Sequence, residues 1–152
     1  MSQSDIPEHP LEHIQLPSSV LPGTLGYYAH AVKAGGFIHF CGIGARNPES
    51  GKEVGVELDE NNQLKAYDIT LQTQQVLENL NGALDANGCS LSDLVEVTVY
   101  LRDMRDFLKY NQVYNAFFEK AQQTGQTPAR TTIEASPPGQ SFILIKAIAY
   151  KP

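Results

Sequence analysis

Arg130 is the residue whose type and setting point most directly to chemistry. It follows Thr127-Pro128-Ala129 and opens a β-branched run, Thr131-Thr132-Ile133, that ends at Glu134. Proline pushes its preceding residue out of the helical region, and threonine and isoleucine favour strands, so the segment reads as a strand starting near Arg130. Alternation puts Arg130, Thr132 and Glu134 on one face and Thr131 and Ile133 on the other. A planar guanidinium held at a strand start can grip a carboxylate through two parallel hydrogen bonds. Glu134 lies roughly 13 Å away along an ideal strand, too far to share a small ligand, and reads as a surface charge.

Other reactive residue types form no constellation. Cys41 lacks an identifiable histidine partner and reads as a small lining residue rather than a nucleophile. The histidines at 9, 13, 30 and 39 have no zinc-ligand spacing, so no metal site is expected. His30 and His39 fall on two paired strands and read as sheet-face residues. Gly42-Ile43-Gly44 lacks the third glycine of a dinucleotide fingerprint and opens no helix, and no cofactor is expected.

The elements that must position Arg130 are legible in order. Residues 1–10 read as a flexible arm, and residues 11–152 as one domain. Leu11–Leu16 alternates weakly, as a first strand. Ala29–Lys33 and Phe37–Cys41 flank Ala34-Gly35-Gly36, a hairpin signal. A glycine-punctuated loop runs from Gly42 to Gly51, and a polar connection from Gly55 to Asn62. Asp68 caps a helix carrying Ile69, Val76, Leu77, Leu80 and Leu84 at helical spacing, with Gly88 at its C-terminal cap. Leu94–Leu101 is the clearest strand. Asp103 or Asp106 caps a second helix, whose inner face is Phe107, Tyr110, Val113, Tyr114, Phe117 and Phe118. A polar loop over Gln122–Thr127 leads to the Arg130 strand. Pro137-Pro138-Gly139 turns the chain into a last strand ending at Tyr150, apolar on both faces for much of its length and so expected to be buried on both. The order β-β-β-α-β-α-β-β gives an α+β fold, a mixed sheet with two helices on one face. No element remains to cover the other face, which implies packing against copies of the same chain.

Composition narrows the function. The chain has 152 residues, 41% of them hydrophobic and 18% charged, and a net charge of −6. This acidity, without any basic run, argues against a nucleic-acid partner. It also requires any carboxylate site to be locally basic. Two cysteines make no disulfide framework. No apolar stretch reaches membrane-spanning length and the N-terminus shows no signal-peptide core, so no membrane partner and a cytoplasmic location are expected.

Pro128-Ala129-Arg130-Thr131-Thr132-Ile133-Glu134, followed by the closing strand Phe142–Ala149, resembles the C-terminal signature of the RidA/YjgF family of enamine/imine deaminases. The likeness extends from about Leu11 to Lys151. It includes the hairpin ending in Cys41-Gly42, the Val97–Asp103 strand and the Asn111-Gln112-Val113-Tyr114 helix segment. The resemblance implies a chorismate-mutase-like fold, a homotrimer whose sheets build a central barrel, and ligand clefts between subunits. It implies that Arg130 clamps a small carboxylate-bearing substrate as a catalytic residue, with Asn111, also catalytic, or backbone groups holding its amino end and Thr132 two positions on. It also implies that Tyr28, Cys41 and Gly42 line the cleft.

One departure stands out. Active relatives carry a water-activating glutamate on the last strand, and that position is Leu144 here. Lys146 shares its parity and reads as a surface charge. The loop from Gly42 to Asp59 resembles longer members known as 2-aminomuconate deaminases. Such a dicarboxylate needs a second cation, for which Arg46 is the candidate. The implied activity is hydrolysis of enamines or imines to keto acid and ammonia. The alternative is a trimer that binds keto or amino acids without turnover. A ribonuclease-like activity fits an acidic chain poorly.

Overall fold

The structure, a computed structural model, describes residues 10–152. The expected arm over residues 1–10 lies outside them except for Pro10. The main sheet has six strands: β1 (Leu11–Ile14), β2 (Ala31–Ala34), β3 (Phe37–Phe40), β6 (Leu94–Leu101), β7 (Ala129–Glu134) and β8 (Ile143–Tyr150). Their spatial order is β1-β2-β3-β8-β6-β7. All pairs are antiparallel except β6 with β7. That parallel pair is joined through the helices α2 (Phe107–Phe117) and α3 (Glu119–Gln123). Gly35, at φ +59°, makes the β2–β3 turn that a residue with a Cβ would strain.

Helix α1 (Ile69–Ala86) starts where Asp68 accepts a hydrogen bond from the Leu71 N–H at 3.1 Å and gives way to Gly88 at φ +71°. Its Val76, Leu77, Leu80 and Leu84 are fully buried against Val97, Val99, Ile143 and Ile145 of the sheet. Tyr110, Tyr114 and Phe118 extend the same core from α2 and its C-terminal end. Each such side chain contributes roughly 1.5–3 kcal/mol by leaving water.

Three features depart from the sequence reading. The polar connection after Gly55 contains a two-stranded hairpin, β4 (Val56–Leu58) with β5 (Leu64–Tyr67). The run Val-Glu-Leu is too short and too charged to announce a strand. The loop expected from Gln122 begins inside α3. Strand β8 is buried on one face only. Ile143, Ile145, Ala147 and Ala149 face the helices, whereas Tyr150 is 45% exposed and Lys146 is open to solvent on the other face. Phe37, 44% exposed, packs beside Tyr150 on that uncovered face.

Helix α1 also carries an amide stripe that the apolar pattern hides. Gln72 accepts from the Phe142 N–H at 2.6 Å and donates to the Gln140 carbonyl at 2.9 Å. Asn79 donates to the carbonyls of Gly44 and Arg46, and accepts from the Gln75 amide. A buried amide must find such partners. Here the partners are the two loops that border the candidate site.

Candidate active site

Arg130 sits on β7 opposite Val97, whose side chain points into the helix-side core, so Arg130 emerges on the helix side. Its Nη1 donates to Asn111 Oδ1 at 2.8 Å. The guanidinium carbon lies 4.5 Å from the centre of the Tyr114 ring and 5.6 Å from that of Tyr110. A cation over an aromatic face gains about 0.5–2 kcal/mol, more as water is excluded. Thr132, one turn of the pleat further, shares a hydrogen bond with the Tyr110 hydroxyl. Burial pushes the Tyr114 phenol up to about 12, although Arg130 pulls the other way, so it stays neutral. Its hydroxyl is buried without a partner among the described residues. Arg130 is thus held on two sides, with part of its fork left to face a ligand. Asn111 spends its side-chain oxygen on Arg130, which makes it a positioning residue first.

The second cluster lies on the opposite face of the sheet. Leu144 pairs across strands with Tyr100, and Lys146 with Thr98. Both line a groove with Tyr28, His39, Cys41 and Gly42. Leu144 presses on Gly42 so closely that an added Cβ would lie 2.8 Å from its Cδ2. Tyr28 accepts the Leu25 N–H at its hydroxyl, 3.1 Å away, and keeps its own proton free to donate. Burial raises the Cys41 thiol above its ordinary value, against the pull of a backbone hydrogen bond and of Lys146. A protonated thiol is a poor nucleophile, in keeping with a lining role.

Arg46 belongs to this second cluster. Its Nη2 donates to the Gly23 carbonyl at 2.9 Å, and it borders a recess shared with Tyr28, Cys41 and Gly42. Glu53 sits nearby on the same loop and accepts from Ser141 Oγ at 3.0 Å. Burial raises its carboxyl pKa, opposed by the Ser141 bond and by Arg46 and Arg102.

The structure therefore brings Arg130, Asn111 and Thr132 together, and separately Tyr28, Cys41, Gly42, Leu144 and Arg46. Within one chain the sheet stands between Arg130 and Leu144. Lys146 is a groove residue rather than a detached surface charge. Glu134 accepts from the Met104 N–H at 2.8 Å, tying β7 to the turn before α2. His30 is not on a sheet face. It is buried just before β2, where Nδ1 accepts the Leu16 N–H and Nε2 donates to the Pro22 carbonyl. Tyr110 and Tyr114 had been read only as core. Tyr114 lies three residues after Asn111 and four after Tyr110, the helical spacing that sets its ring beside both.

Comparison with known proteins places these residues in context. Residues 19–150 match the family model described as Endoribonuclease L-PSP. A RutC family protein of Pyrococcus horikoshii is 41% identical over 86% of this chain and 91% of its own. A 2-iminobutanoate/2-iminopropanoate deaminase of Mus musculus is 33% identical over 84% of each chain. The crystal structure of TdcF from E. coli with bound serine superposes with a TM-score of 0.76 at 26% identity, covering 93% of this chain and 100% of that one.

Proposed function

The chain belongs to the RidA/YjgF family, within the group described as endoribonuclease L-PSP, and from that premise we propose that it hydrolyses enamines or imines of small carboxylates to keto acid and ammonia. The observation that carries this reading is the held guanidinium of Arg130. Asn111 and Tyr114 fix it, and its remaining N–H groups suit a planar carboxylate. The name of the mouse relative and the serine bound by the E. coli protein support the same ligand class.

The reading also takes the protein to be a homotrimer with its clefts between copies. Arg130 of one copy meets Tyr28, Cys41, Gly42 and Leu144 of the next. Two observations support it: the clusters lie on opposite faces of one sheet, and the outer face exposes Phe37 and Tyr150. Light scattering giving a stable monomer at micromolar concentration would remove this support. The protein is read as cytoplasmic, where its two free cysteines would stay reduced.

A finer reading makes the substrate a dicarboxylate of the 2-aminomuconate type, with Arg46 as its second cation. Its support is the position of Arg46 beside Tyr28 and Cys41. A second reading, a binder without turnover, is favoured by Leu144, which offers neither proton nor hydrogen bond. Ammonia release from freshly generated imines decides: release above the buffer rate supports the enzyme, and tight keto-acid binding without release supports the binder.

A further inference from the structure

Imine hydrolysis consumes a water, and Leu144 of the last strand cannot hold it. Leu144 and Lys146 both face the groove, and Leu144 is pressed onto Gly42. Beyond Cys41 and Gly42, however, the groove adjoins a second, smaller space. The two share Tyr28, Cys41 and Gly42 as walls. The smaller recess has a volume of about 40 Å³, room for roughly three waters at 10–15 Å³ each.

Most polar groups around the recess are already committed. Both ring nitrogens of His30 are used, by Leu16 and by Pro22. The Asn79 amide is spent on Gly44, Arg46 and Gln75. These bonds make the walls rigid and occupy the polar atoms of both side chains. Thr24 donates to the Gly26 carbonyl but keeps an acceptor, and Tyr28 keeps its proton. Arg46 keeps most: of five N–H donors, one is committed among the described residues, to Gly23. Among the described residues it is also the only charged side chain in the lining.

We propose that this recess is the water site of the reaction, with Arg46 holding the attacking water and aiming it past Cys41 and Gly42 at the imine carbon. The inference rests on the deaminase reading and deepens it. The water oxygen bonds to the carbon of the protonated imine as the C=N π pair moves onto nitrogen. The surplus water proton passes to that nitrogen, directly or through the Tyr28 hydroxyl. The carbinol O–H pair then forms the new C=O, the C–N bond breaks, and ammonia leaves with one proton returned to solvent. One water is consumed for each ammonia released, and no oxidant is needed. The nitrogen of the substrate accepts the first proton and solvent the last, so the site needs no carboxylate.

The test is steady-state hydrolysis of 2-iminopropanoate by wild type, Arg46→Met and Arg46→Lys, with pyruvate affinity measured beside it. Misplacing a reactant by about 1 Å costs on the order of 10²-fold. Arg46→Met should lose 10- to 100-fold in kcat with KM and pyruvate affinity unchanged, and Arg46→Lys should recover part of the loss. A wild type that turns over while Arg46→Met keeps full kcat overturns this inference and leaves the deaminase reading standing. So does a KM effect confined to dicarboxylic imines, which would make Arg46 a substrate cation. A wild type without turnover overturns both.

Discussion

The two clusters differ in what holds them. Around Arg130 the restraints are side chain on side chain: an amide at 2.8 Å, an aromatic face at 4.5 Å, and a neighbouring tyrosine–threonine bond. Around Leu144 the restraints run largely through backbone. The Cys41 N–H donates to the His30 carbonyl, Ile43 pairs with Ile145, and Asn79 grips the loop by its carbonyls. The first, on the proposed function, is a charged clamp for a ligand. The second is a shaped wall with a small polar recess behind it. The clamp can lose its function by one substitution without loss of fold, whereas the wall is built into the sheet itself.

The sharpest way to break this contrast is Arg130→Ala. Arg130 is only half-buried, so the fold should survive. Keto-acid affinity should fall by about 2–4 kcal/mol, the range for truncating one partner of a desolvated charge pair. Arg130→Lys should recover little, because an ammonium cannot make the forked contact. Calorimetry showing unchanged affinity would remove the clamp from the account.

Next in size is Leu144→Glu, which alters the wall. General acid–base help is worth roughly 10²- to 10⁴-fold, so a partly placed carboxylate should raise imine hydrolysis by about tenfold or more. The new group sits against Gly42 in a site shaped for leucine, and burial would raise its pKa. The gain should therefore grow as pH rises through that value. A wild type already as fast as glutamate-bearing relatives would show that the wall needs no carboxylate.

Tyr114→Leu should act on the clamp alone. It removes the aromatic face under Arg130 and should weaken keto-acid binding by about 1 kcal/mol. Tyr114→Phe should change it little. Equal losses in both variants would trace the effect to the buried hydroxyl instead.

The smallest effect concerns Cys41. Its folded-state pKa is raised, mainly by burial, so at any pH below that value it carries less thiolate than a free cysteine. Iodoacetamide should label it slowly at neutral pH and faster as pH climbs past the ordinary thiol range. Peptide mapping separates it from Cys89. Rapid labelling at pH 7 would turn the wall residue into a nucleophile.

Much of the fold could be read from the chain because each element carried its own punctuation. Asp68 and Gly88 bound α1, Gly35-Gly36 closes the hairpin, and Leu94–Leu101 alternates as a strand with one buried face. The β4–β5 hairpin escaped because three residues such as Val-Glu-Leu carry no period. The contents of the clamp were legible only in part. Arg130 and Asn111 stood out, but Tyr110 and Tyr114 looked like core because a residue that packs beneath a cation is apolar in pattern. The amide stripe of α1 was hidden for the opposite reason: Gln72, Gln75 and Asn79 look solvent-facing, and only their hydrogen-bond partners in the fold show otherwise. Nor can sequence alternation tell that Arg130 and Leu144 stand on opposite faces. That depends on the register of β7 and β8 against β6, which no local pattern records.

The central claim is that clamp and wall meet only between copies, and subunit mixing tests it most directly. Arg130→Ala removes the clamp, and Leu144→Trp fills the groove on the other face. Each homo-oligomer should bind no 2-oxobutanoate in calorimetry, with assembly checked by light scattering. Co-refolded at equal amounts, random association gives about one cleft in four an intact clamp from one copy and an intact wall from its neighbour. Recovery of about a quarter of wild-type binding sites is the result this account predicts. No recovery, in oligomers shown to be mixed, would mean that clamp and wall do not combine across copies and would contradict it.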